Sequence, residues 1–406
     1  MLLLVACTPV ALDAVVVEET AAPVEDTSVE HIPGTAGGVC RMELECSEAI
    51  ADEPKVTCDF KVEDGDGWTL YDGQAGVELR GRSSSGFNKK QYGIELRDGE
   101  DEVEVNLLDM GAESDWVLNG AYIDRAFVRN KMAFDLFQSW GGAQRYAPES
   151  RNCTLRLNGG DQGIYFLAER IKRDAARLDL PAEGSMIVKL DDQAGVYSNE
   201  GMGHGHWKLV YPPAPTVDEQ ADVVSWFQGW EAAVHAGGVF DYIDRDSAID
   251  FLLLQEFMKN NDAYYLSVHL WREPGGLAFF TPWDLDLSFG QPTYNDNVSP
   301  LGWLLYRPTW VKSMVAADTF RQDMAARWAQ LRQGELAEDA VLARFDAQVD
   351  ALSGEIENNF DIWAWEDIDF LGGYLPEVED HEQEVENIRA WIPDRLDWMD
   401  ENIAAY

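Results

Sequence analysis

The chain of 406 residues is long enough for one large or two ordinary domains with a sizeable core. Hydrophobic residues make up 46% of it, 15 tryptophans among them, which argues against a chain that stays unfolded. Its 74 acidic and 31 basic side chains leave a formal net charge of −43, which speaks against sequence-independent attraction to nucleic acid or anionic lipid headgroups.

The chain opens on Met1-Leu2-Leu3-Leu4-Val5-Ala6-Cys7, an apolar run ending in a small residue and a cysteine. This is similar to a bacterial lipobox, in which the cysteine is acylated and becomes the new N-terminus. Residues 1–7 then read as a partial signal peptide without its cationic n-region. Residues 8–37 are rich in Ala, Val, Glu, Thr, Pro and Gly with no period, and read as a flexible acidic linker. The expectation is an exported cell-envelope lipoprotein, periplasmic or at the cell surface, that meets membrane only through a lipid on Cys7. Cys40, Cys46, Cys58 and Cys153 remain, an even number that suits two disulfides in one of three pairings. No C-x-x-C pair points to a zinc ribbon.

Residues 38–406 read as one α+β domain, β-rich to about 200 and mainly helical from about 210. Val77–Leu79 and Tyr92–Leu96 are short, partly alternating runs with Gly and Ser between them, as in a hairpin. The four-residue spacing of Val128, Met132 and Leu136 predicts a helix. A second hairpin is predicted from Cys153–Leu157 and Gly163–Leu167 around Asn158-Gly159, a strong turn signal. Thr216 and Glu219 make a capping-box pattern ahead of the stripe Val223, Trp226, Phe227, Trp230 and Val234, with Gly237 as a stop. The next helix starts near Asp246 and turns Ile249, Leu252, Leu253 and Phe257 inward. Leu266–Trp271 and Leu277–Phe280 predict a β return. Helices packed by Phe320, Met324, Leu331, Phe345, Val349 and Leu352 account for the remainder.

Three stretches carry candidate chemistry. The loop Arg80 to Lys90 puts four cations into eleven residues, with Gly and Ser offering free backbone N–H groups. That combination suits polyphosphate and makes Arg80, Arg82, Ser84, Lys89 and Lys90 candidate binding residues, although no Walker A pattern occurs. Asn260-Asn261-Asp262 follows the second predicted helix. Across the β return comes Pro282-Trp283-Asp284-Leu285-Asp286-Leu287-Ser288-Phe289-Gly290. If that segment is extended, alternation sets Asp284 and Asp286 on one side, where a hard divalent ion such as Mg²⁺ relieves their repulsion. Glu169, ending the second hairpin, is expected to pair with a lysine of the basic loop.

In order along the chain stand Arg80-Gly81 with Ser83 and Ser84, Lys90 before Tyr92, Asp115-Trp116 with Leu118, and Arg129-Asn130. Asn158-Gly159, Gly163 to Glu169, Asn260 with Asp262, and Pro282 to Gly290 complete the set. This ordered set, over roughly residues 65–295, resembles the spore-coat CotH family of atypical protein-kinase-like proteins. The resemblance implies a divergent protein-kinase-like fold that binds ATP with Mg²⁺ or Mn²⁺ and phosphorylates Ser in a Ser-rich partner protein. Carried over, Asp262 is the catalytic-loop aspartate, Lys90 or Lys89 contacts phosphates, Glu169 orients that lysine, and Asp284 and Asp286 hold metal. Ser267 departs from the pattern, standing where many relatives carry an Asn metal ligand. Two other readings stand beside the kinase: a non-catalytic surface, adhesion or coat-assembly protein on the same fold, and a carbohydrate-active enzyme using paired carboxylates.

Overall fold

The computed structural model describes residues 38–203 and 205–406; the lipobox and linker expected over residues 1–37 lie outside the described residues. The N-terminal part is built from β1 (Cys40–Cys46), β2 (Val56–Glu63), β3 (Thr69–Arg80), β4 (Gln91–Asp98) and the short β5 (Asp101–Glu102), β6 (Val105–Asn106) and β7 (Ala112–Glu113). It continues with β8 (Asp115–Asn119), α1 (Arg129–Ser139), β9 (Ser150–Leu157) and β10 (Gly160–Glu169). The sheet order is β3-β2-β1-β9-β10-β8-β4-β5, and β3 also pairs with β4. The strands from β3 round to β4 therefore close into a barrel, with β5 appended. Only the β1–β9 pair runs parallel.

Period-two alternation fills the barrel. Met42 and Leu44, Phe60 and Val62, Ile94 and Leu96, Trp116 and Leu118, and Tyr165 and Leu167 are all buried in one core. Both predicted hairpins form, the second through Asn158 (φ 50°) and Gly159 (φ 74°), the left-handed pair that a two-residue turn requires. The cysteines resolve into Cys40–Cys153 and Cys46–Cys58, each pair directly opposite in strand register. The first closes a separation of 113 residues and the second one of 12. Loop entropy makes the first the larger contributor. Urea unfolding of a Cys40→Ala/Cys153→Ala variant is expected to show a loss of about 2–5 kcal/mol. The Cys46→Ala/Cys58→Ala variant should lose less.

The C-terminal part begins with β11 (Met186–Asp191), β12 (Tyr197–Ser198), β13 (His206–Tyr211), α2 (Val217–Ala236), α3 (Arg245–Met258), β14 (His269–Arg272) and β15 (Phe279–Thr281). It ends with α4 (Thr309–Val315), α5 (Asp318–Leu331), α6 (Glu338–Ala351), α7 (Ile356–Ile362) and α8 (His381–Asn402). The chain thus has a β-rich N-terminal part and a helical C-terminal part, as the pattern implied. The break expected near 200–210 instead falls inside a second sheet, ordered β12-β13-β11-β14-β15, which draws on strands from both sides of α2 and α3. The Thr216 capping box forms and Gly237 (φ 81°) ends α2. Helix α3 is buried from Ser247 to Met258, since it is enclosed by neighbours all round. It stops at Lys259 (φ 50°), whose Nζ donates to the carbonyls of Asp296, Ser299 and Leu301 at 2.6–2.8 Å. That stop sets the direction of the segment carrying Asp262. Among the described residues no helix is long and apolar enough to cross a membrane.

Candidate active site

A cleft of about 650 Å³ is lined by the ends of β3, β4, β8 and β10, by β11 and the residues after it, and by Asp262, Ser267 and Trp283 to Leu287. Its acidic wall is assembled by backbone pairing. Phe289 N–H donates to Met258 O and Asn261 N–H to Leu287 O, both at 2.8 Å, so the segment after α3 is joined to residues 287–289. Asn261 Nδ2 then donates to Asp262 Oδ1 at 2.8 Å. Burial, and after it the charge of Asp284, pushes the Asp262 carboxyl up to about 6.

The expected side-by-side extended aspartates do not form. Asp284 sits in the left-handed region (φ 63°), so the chain turns there; it is exposed, while Asp286 is buried. The two are nevertheless close enough that Asp284, after burial itself, raises Asp286 well above the usual carboxylate range. Asn130 holds Asp286 in place: its Nδ2 donates to Asp286 Oδ1 while its Oδ1 accepts Leu285 N–H at 2.7 Å. Ser267 Oγ donates to Asp284 Oδ2 at 3.1 Å.

Among the described residues no group of three or more His, Cys, Asp or Glu stands together as a metal cage. Two carboxylates with hydroxyl and amide oxygens nearby nonetheless fit Mg²⁺, which binds through one or two carboxylates and keeps other positions for water and phosphate. A cation there would offset the repulsion that raises Asp286.

The structure divides the basic candidates. Arg80, Arg82 and Ser84 line the cleft with the three aspartates. The Arg80 guanidinium lies over the Trp283 ring, 5.5 Å from its centroid; burial and then Arg170 bring it down to about 10, so it stays cationic at neutral pH. Lys90 is not among the cleft residues and donates to Ser85 O at 2.8 Å. Lys89 is buried away from the cleft, bonded to Ile164 O and to Asn359 Oδ1 at 2.8 Å, and packed on the Tyr165 ring.

Glu169 pairs with neither lysine. It meets Arg177 at 2.9 Å and accepts from Tyr146 and Glu149 N–H. Strand alternation is the reason: Phe166, Ala168 and Arg170 face the cleft, which sends Glu169 to the other face of β10. The same alternation, read one residue further, would have identified Arg170. Asn130 also lines the cleft, as do Lys55, Lys131 and Lys189, which were not singled out. Asn130 carried a signal in the Arg129-Asn130 pair; the three lysines carried none.

No curated protein matches the chain. A family model described as "CotH kinase protein" matches residues 77–399, from β3 into α8. That span contains Arg80, Asn130, Arg170, Asp262, Asp284 and Asp286. The chain belongs to the CotH kinase family.

Proposed function

We propose that this protein is an atypical protein kinase that transfers the γ-phosphate of ATP to Ser hydroxyls of a partner protein, a Ser-rich surface protein, with Mg²⁺ or Mn²⁺ at Asp284 and Asp286. It acts as an exported envelope protein anchored through Cys7. The observation that carries the reading is one cleft lined by Asp262, Asp284 and Asp286 together with cationic Arg80. Asp262, at about 6, is ionised at neutral pH and accepts the proton as a serine hydroxyl attacks phosphorus. Asn130 fixes the direction of Asp286, and Ser267 that of Asp284. A bound divalent ion supplies positive charge for the phosphate oxygens. Arg80, held on the Trp283 ring, supplies the rest.

The non-catalytic alternative, a surface or coat-assembly protein, is favoured by one observation: the expected lysine–Glu169 pair is not made. Labelled ATP with Mg²⁺ or Mn²⁺ and a Ser-rich protein separates the readings. Label that disappears in Asp262→Ala and Asp286→Ala supports the kinase. Label that survives both substitutions removes it, and metal-dependent nucleotide binding without any label identifies a non-catalytic binder.

A further inference from the structure

Every cation lining the cleft except Arg80 has a carboxylate partner. Lys55 pairs with Glu95, Arg82 with Asp192, Lys131 with Asp135 at 3.0 Å, Arg170 with Asp115 at 3.3 Å and Lys189 with Asp191 at 3.7 Å. Among the described residues Arg80 makes no ion pair and no side-chain hydrogen bond; the Trp283 ring is its contact. Its guanidinium feels Arg170 as a repelling charge and Asp284, Glu78 and Asp115 as attracting ones, none of which makes an ion pair with it. Arg170 is itself only thinly neutralised. Asp115 is divided among Arg170, Lys172 at 2.8 Å and Lys55 at 4.0 Å.

Arg80, with no carboxylate in ion-pair contact, and Arg170, which shares its one carboxylate with two lysines, thus line one cleft with donors left over for an anion. Guanidinium donors form a planar fork, and two forks suit the several oxygens of one phosphate group. We infer that Arg170 and Arg80 together clamp the terminal phosphate of the cleft's polyphosphate ligand, which makes Arg170 a binding residue. The nucleotide part of this statement rests on the kinase reading; the affinity for phosphate does not. Arg170, the residue after β10, continues the cleft-facing side of Phe166 and Ala168, and Trp283 supports Arg80 from the segment that bears the aspartates.

The test is calorimetric titration of the full chain, free of metal, with ATP, adenosine and pyrophosphate. Arg170 is half exposed with one ion-pair partner, so Arg170→Ala should fold, and its melting temperature verifies this. Losing a charge-assisted hydrogen-bond pair is expected to weaken ATP and pyrophosphate about 10- to 100-fold while adenosine changes less than about twofold. Arg170→Lys keeps the charge without the fork and should fall between. ATP and pyrophosphate affinities unchanged in Arg170→Ala would overturn the clamp, as would a wild-type protein that binds neither. Wild-type protein that binds pyrophosphate through Arg170 but not ATP would keep the clamp and remove the kinase reading.

Discussion

Replacing Asp262 by Asn should lower kcat about 10²–10⁴-fold, the range that a positioned proton acceptor contributes. The isosteric amide keeps the contact with Asn261 but cannot take a proton, so ATP affinity should stay the same or tighten. A split of this kind, measured by steady-state phosphotransfer beside nucleotide titration, separates chemistry from binding. On the kinase reading the wild-type protein should also lose activity as the pH falls through about 6, since Asp262 would have to be ionised to act and its carboxyl is raised to about 6. A cation at Asp284 cancels the second cause of that shift and leaves burial, so the acid limb should move downward when metal is saturating. Full activity of Asp262→Asn would take the residue out of the reaction.

Arg129→Met is expected to cost about 3–5 kcal/mol of stability in urea unfolding. The guanidinium is almost wholly enclosed and meets Asp124 and Glu384, each at 2.7 Å. It also donates to Ser288 O at 2.8 Å and Phe289 O at 3.2 Å. Methionine fills much of the volume but leaves buried carboxylates short of donors, and that deficit sets the size of the effect. Arg129→Lys should recover only part, because an ammonium cannot make the same planar set of bonds. Since Arg129 precedes Asn130 and holds Ser288 and Phe289, a folded variant should also bind Mn²⁺ less tightly. A loss below about 1 kcal/mol would mean that the network is dispensable.

What the sequence made legible was local. Both hairpins and the capping box on α2 follow from turn residues and spacing and formed as expected, whereas α3 forms where it was expected but is buried on every side rather than on one face. Asp262, Asp284 and Asp286 were identified from their residue types and order, and the fold brings them to one cleft. The partners of Lys89, Lys90 and Glu169 were not legible, because they depend on which face of a strand meets which distant element. Lys89 is held by Asn359, 270 positions away, and no local pattern encodes that contact. The backbone turn at Asp284 broke an alternation argument that assumed extension. The second sheet was missed because its two hairpins are separated by α2 and α3.

The closure of β3 onto β4 also bears on how the protein meets other chains. A ring of strands has no free lateral rim, so most of its main-chain donors and acceptors are already taken and cannot template an incoming strand. The strands of the ring are thereby shielded from strand addition and from edge-driven aggregation. Among the described residues, a partner that docks by β-augmentation is left only short rims: β5, the β6–β7 pair, and the outer strands of the second sheet, Tyr197–Ser198 and Phe279–Thr281, of two and three residues.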